Sequence, residues 1–168
     1  MKAIIVGGGI GGLTTALMLR ARGIDCELFE QSDTIRELGV GINTLPHAIR
    51  ELAGLGLLDR LDAAAVCTDQ LYYLNRHGQE VWREPRGLDA GHDVPQFSVH
   101  RGRLQSVIHR AVEERLGPEA IHTGCRLGAF AQRIHRRPQA IHGVREALAC
   151  DLAPVDPEAL GPALEVRR

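Results

Sequence analysis

The stretch VGGGIGGL, residues 6–13, places five glycines among eight residues, immediately before an apolar run with helical spacing. Glycine costs a helix interior about 1 kcal/mol relative to alanine, so this density is unfavourable unless backbone exposure is itself required. The spacing Gly7-x-Gly9-x-x-Gly12 gives each glycine a separate reason. Gly7 permits a tight turn out of a strand, Gly9 lets a pyrophosphate lie against the backbone, and Gly12 lets the following helix pack close to that strand. The helix start then offers unpaired N–H groups and a positive dipole end to phosphate.

The flanking residues supply the context this motif needs. Lys2–Val6 is a short apolar run that reads as a buried strand. Ile10–Arg22 places Leu13, Ala16, Leu17 and Leu19 on one helical face, and Gly23 stops the helix. Cys26–Glu30 reads as a second strand with a carboxylate at its end. Strand, glycine turn, helix and strand make a βαβ unit with a right-handed crossover. Glu30 stands where an acid accepts hydrogen bonds from ribose hydroxyls, and where it disfavours a 2′-phosphate.

Farther along, residues 31–44 lack periodicity and read as a long loop. Pro46–Leu61 reads as one or two short helices broken near Gly54 and Gly56. QLYYL and EVWRE flank NRHGQ, a hairpin with Gly78 in its turn. The aromatics of that hairpin, Tyr72, Tyr73 and Trp82, read as core residues. Residues 85–95 read as loop. Leu104, Val107, Ile108, Ala111, Val112 and Leu116 mark an amphipathic helix stopped by Gly117 and Pro118, and AIHTG reads as a third strand of the first sheet. After Gln132 the composition changes: the last 36 residues hold half of the eight prolines and no aromatic residue. They read as an atypical tail, disordered or out of frame, beyond a domain spanning residues 1–131.

Bulk properties exclude several classes. The chain has 168 residues and a formal net charge of −1, which gives no electrostatic case for nucleic acid or an anionic membrane. No apolar run reaches the roughly 20 residues of a membrane span. Cys26, Cys67, Cys125 and Cys150 are scattered, which fits a reduced, cytoplasmic chain rather than a disulfide framework or metal site. The eight histidines show no metal-ligand spacing, and no nucleophile–base constellation is visible.

Three separated motifs occur in order: the glycine turn ending at Glu30, RELGVGIN at residues 36–43, and HRGRLQ at residues 100–105. Together with VWREPRG and PQFSVHRGRLQ they resemble the N-terminal part of FAD-dependent aromatic-ring monooxygenases. These are the p-hydroxybenzoate hydroxylase and salicylate hydroxylase relatives, and phenazine-pathway flavin monooxygenases above all. The resemblance covers about residues 1–131. It implies an α/β fold in which a Rossmann-like FAD-binding βαβ domain is joined to part of a β-rich substrate domain, to which the hairpin 69–84 would belong. It implies FAD as cofactor, NAD(P)H as reductant, and a small aromatic or phenazine-like ring hydroxylated with O2. By position, Gly7, Gly9 and Gly12 would cradle the pyrophosphate and Glu30 would hold the adenosine ribose, with the neighbouring Ile10, Gly11 and Gln31 also counted as cofactor-binding. Arg36 would lie near ribose and phosphate, Gly41 and Ile42 near the flavin side, Arg101 at the pyrophosphate or ribityl, and Leu127 at adenine. No protein catalytic residue is implied, because the cofactor carries the chemistry. The family's Asp-Gly and Gly-Asp pairs do not occur, which marks the chain as a fragment that is inactive alone. A non-catalytic nucleotide-binding module and an NAD-dependent dehydrogenase fragment are the alternatives.

Overall fold

The structure, a computed structural model, describes residues 2–128 and the backbone of residues 166 and 167. The atypical tail from residue 132 onward otherwise lies outside the described residues.

Strand β1 (Lys2–Val6), helix α1 (Ile10–Ala21) and strand β2 (Asp25–Phe29) form the expected βαβ unit. β1 and β2 run parallel, from Lys2 opposite Asp25 to Val6 opposite Phe29. Gly23 ends the helix with φ 71°, the left-handed conformation that glycine adopts without a Cβ penalty. Leu13, Ala16 and Leu17 are buried under the sheet, and each large side chain so buried contributes on the order of 1.5–3 kcal/mol.

After β2 the long loop is shorter than its composition implies. Gly41–Thr44 is a strand, β3, followed by α2 (Pro46–Gly54), α3 (Leu58–Ala64) and β4 (Val66–Thr68). The hairpin β5 (Gln70–Leu74) and β6 (Glu80–Pro85) comes next, then a one-turn 3-10 segment at Gly87–Ala90, β7 (Gln96–His100) and α4 (Arg101–Leu116). β8 (Ile121–His122), β9 (Arg126–Leu127) and β10 (Val166–Arg167) complete the described elements. The first sheet has the order β1-β2-β8, with β8 parallel to β2 as AIHTG predicts. This is the 3-2-1 half of a doubly wound sheet.

A second, antiparallel sheet has the order β3-β7-β4. The sequence pattern marks none of its strands. Each is three to five residues long, and the partners lie far apart: Gly41 pairs with His100, and Thr44 with Phe97. The Thr44 hydroxyl donates to the Phe97 carbonyl at 3.0 Å, closing a buried polar pair. One core cluster joins the two sheets, running from Leu13 and Leu17 through Ile49 and Phe97 to Ile108 and Val112. Helix α4 packs against α1 within it.

The hairpin departs from the core reading. Its turn is as expected, with Gly78 at φ 77° and the Asn75 side-chain oxygen accepting from the N–H groups of His77 and Gln79. Tyr72, Tyr73 and Trp82 are nevertheless 47–58% exposed, because among the described residues the two strands pair only with each other. The Arg83 guanidinium lies 5.5 Å from the Tyr72 ring. Ile4 and Val6 are likewise exposed, on the sheet face that α1 leaves uncovered.

Candidate nucleotide site

The carboxyl ends of β1, β2 and β8 meet at one edge of the first sheet, the place where open α/β sheets bind ligands. Gly7 leaves β1 with φ 102°, and its N–H donates to the Phe29 carbonyl at 2.7 Å. The chain then turns into α1 at Gly9, whose backbone is extended. A Cβ on Gly9 or Gly11 would meet nothing within 4 Å, so the backbone here faces open space. A Cβ on Gly12 would overlap the Gly7 carbonyl oxygen. The three motif glycines thus divide as their spacing implies: one turns, one exposes backbone, one permits close packing. No acidic residue occupies the first turn of α1 and no side chain caps it, so the first-turn N–H groups have no side-chain partner.

Glu30 is the hinge of the site. Its Oε2 accepts from the Gly8 N–H at 2.6 Å and its Oε1 from the Ser32 N–H at 2.8 Å. Partial burial pushes its carboxyl upward, but the backbone donors of Ser32 and Gly8 outweigh that, and the net pKa is below the ordinary 4.5. Glu30 is therefore a fixed anionic acceptor at neutral pH. Its backbone is tied as well: its N–H donates to the His122 carbonyl at 2.8 Å, and the Cys125 N–H donates to its carbonyl at 2.8 Å.

Two cavities flank Glu30. One, of about 530 Å³, is bounded by Gly9 and Glu30, by Ser32–Arg36, and by Leu38, Arg101 and Gln105. The other, of about 410 Å³, is bounded by Gly7, Phe29, Glu30, Gln31, Cys125 and Leu127, among others. Of the residues that the sequence points to, Gly9, Glu30, Arg36 and Arg101 line the first, and Gly7, Glu30, Gln31 and Leu127 the second. Ile10, Gly11, Gly12, Gly41 and Ile42 line neither. Gly12 lies at the helix–strand contact, and Ile42 packs against the main core. Gly41 pairs with His100 across β3 and β7.

The loop before β3 is strapped to the start of α4. The Arg101 N–H donates to the Val40 carbonyl at 3.0 Å, and His100 Nε2 lies 3.0 Å from the Gly39 carbonyl. Gly102 is the contact point: a Cβ there would come within 2.5 Å of the Glu37 carbonyl carbon. This strap brings Arg36 and Arg101, 65 positions apart in sequence, to the same cavity. Gln105 also lines it; it closes the HRGRLQ motif but is not among the cofactor-binding residues assigned from that motif. Its signal is its place four residues after Arg101, on the same helix face. No group of His, Cys, Asp and Glu able to hold a metal occurs among the described residues. No helix among them is long and apolar enough to cross a membrane.

Comparison with known proteins gives a consistent picture. The family model described as NAD(P)-binding Rossmann-like domain matches residues 5–39. The chain is 48% identical over 146 residues to the phenazine 1,6-dicarboxylic acid hydroxylase of Lysobacter antibioticus, covering 83% of this chain and 36% of that protein. The p-nitrophenol 4-monooxygenase of Pseudomonas putida DLL-E4 shares the fold, with a TM-score of 0.69 at 21% identity over 79% of this chain and 34% of that one. Klebsiella pneumoniae HpxO, solved with FAD and uric acid, superposes with a TM-score of 0.61 at 26% identity over 79% of this chain and 33% of that one. The chain thus spans about a third of the length of the relatives it matches. By sequence the chain is similar to the N-terminal part of FAD-dependent aromatic hydroxylases, and it shares the fold of the solved relatives.

Proposed function

We propose that this chain binds the adenosine diphosphate half of FAD at the glycine turn. The observation that carries this reading is the Glu30 carboxylate, fixed by the N–H groups of Gly8 and Ser32 between two cavities and beside an open, uncapped helix start. The residues fit the group. Gly9 leaves room for a pyrophosphate, the N–H groups at the start of α1 are its donors, and Arg36 and Arg101 supply positive charge to the same cavity. Glu30 accepts from the ribose, and Gln31 and Leu127 bound the adenine side. FAD supplies redox chemistry, while the protein contributes position and charge.

The relatives' hydroxylase activity comes to this chain as the second half of the proposal. As part of such a protein it would serve hydroxylation of an aromatic or phenazine-like ring with NAD(P)H and O2. Residues 1–131 would form the FAD-binding part, with the hairpin belonging to the substrate-side sheet. The scattered cysteines favour the cytoplasm. Hydroxylation requires the ring to be held against the cofactor, and misplacement of reacting groups by about 1 Å costs roughly a hundredfold in rate.

The test supplies FAD, NADH or NADPH, and a panel of phenolic and phenazine acids to the 168-residue chain. The expected result is quenching of flavin fluorescence on binding, with no hydroxylated product above a heat-killed control. Absence of FAD binding by folded protein contradicts the binding proposal. Product contradicts dependence on the remainder of the relatives' length.

A further inference from the structure

The backbone of Gly8 is held by side chains from two distant parts of the chain. Its N–H donates to Glu30 Oε2 at 2.6 Å, and its carbonyl accepts from Gln105 Nε2 at 2.9 Å. Gln105 belongs to α4, 97 positions away, and the bond is partly buried. A carbonyl only accepts, so the amide nitrogen of Gln105 must face it. Space around Gly8 is tight: a Cβ there would meet Ile35 Cδ1 at 2.9 Å and Glu30 Cβ at 3.1 Å. Gly9, one residue on, has none of this confinement.

The geometry points to Gln105 as a positioning residue for the phosphate site. A trans peptide is planar, with its C=O and N–H pointing in opposite directions. Fixing the Gly8 carbonyl therefore fixes the Gly9 N–H, which belongs to the same peptide. Glycine imposes no preference of its own on this turn, and three consecutive glycines leave the loop with large conformational entropy. Glu30 restrains only the peptide before Gly8, through that residue's N–H. Gln105 restrains the peptide after it, the one that opens onto α1. Orienting a donor before the ligand arrives improves affinity by reducing the ordering left to binding. The consequence is specific: Gln105 serves the phosphates, whereas Glu30 serves the ribose.

This inference rests on the proposed nucleotide site, and its test separates the two. Gln105→Met keeps length and apolar stem but removes the donor. Calorimetry would compare ADP with adenosine on both proteins, and ¹⁵N-resolved hydrogen exchange would follow the Gly9 amide without ligand. ADP affinity is expected to fall about five- to tenfold, the effect of one neutral hydrogen bond, while adenosine affinity stays unchanged. The free Gly9 amide is expected to shift and to exchange faster. Equal loss for ADP and adenosine would indicate general loosening and overturn the inference. Weaker ADP binding with an unaltered Gly9 amide would make Gln105 a direct ligand contact and also overturn it. If the native protein binds no ADP while its Gly9 amide responds to the substitution, the nucleotide reading fails and the restraint on Gly8 stands.

Discussion

Gly12→Ala should destabilise the protein by about 2–4 kcal/mol, although alanine is the better helix former. Helix propensity alone favours the substitution by up to about 1 kcal/mol. Against it stands overlap of the new Cβ with the Gly7 carbonyl oxygen, and near contact at 3.3 Å with Ile5 Cγ2. Overpacking against a flexible side-chain tip is relieved by rotation. Here the obstacle is backbone, and that backbone is pinned: Gly7 has φ 102° and its N–H is bonded to Phe29. The strand and helix must separate, which also loosens Leu13 and Leu17. Overpacked cores cost about 1–3 kcal/mol when side chains absorb the strain, and more when they do not. Thermal denaturation followed by circular dichroism should show a midpoint lowered by roughly 5–15 °C. Gly11→Ala is the control, since its Cβ meets nothing within 4 Å. A Gly12→Ala protein melting within a degree of the native one would contradict the close helix–strand contact.

Gly9→Leu should do the reverse: leave the fold standing and abolish nucleotide binding. Gly9 has φ −74° and ψ 176°, open to any residue, and no neighbour within reach of a Cβ. The loss of a glycine cap lowers helix stability by about 1 kcal/mol at most. A leucine there fills the space where a pyrophosphate must approach the backbone. Two charge-assisted hydrogen bonds to phosphate, at about 1.5–3 kcal/mol each, correspond to an affinity loss of a hundredfold or more. Calorimetric titration with ADP checks this, alongside a melting curve. Retained affinity would place the phosphate elsewhere.

Both outcomes depend on a portion of the molecule that is legible in the amino-acid sequence. β1, α1 and β2 announce themselves because their signals are local: an apolar run, a 3.6-residue period, a stopping glycine. Glu30 follows from its place at the end of β2. The amphipathic period of α4 is equally local. β3, β4 and β7 are illegible for the opposite reason. They are three to five residues long, and β3, for one, is a strand through pairing with β7 more than 50 positions away. Gln105 carries no local mark of its bond to Gly8, 97 positions away. The hairpin aromatics mislead differently. Tyr73 and Trp82 have the composition of a core pair and face each other across β5 and β6, yet both are more than half exposed. Burial is a property of what packs on a strand, and the strand's own letters do not contain it. The exposed Ile4 and Val6 make the same point on the first sheet, since parallel sheets are ordinarily covered on both faces.

The central claim is that Glu30 and the glycine turn together hold an adenosine diphosphate whose ribose is unphosphorylated. Both Glu30 oxygens already accept backbone hydrogen bonds, and its carboxyl stays ionised well below neutral pH. It can accept from a ribose hydroxyl, but a 2′-phosphate brings like charge against it, at a cost of several kcal/mol when close and desolvated. The decisive measurement is calorimetric titration of the native chain at pH 7 with ADP, FAD and NADP. ADP and FAD should bind with comparable affinity, and NADP at least tenfold more weakly. Binding of NADP as tight as or tighter than ADP, or no heat with ADP from protein that is folded, would contradict the account.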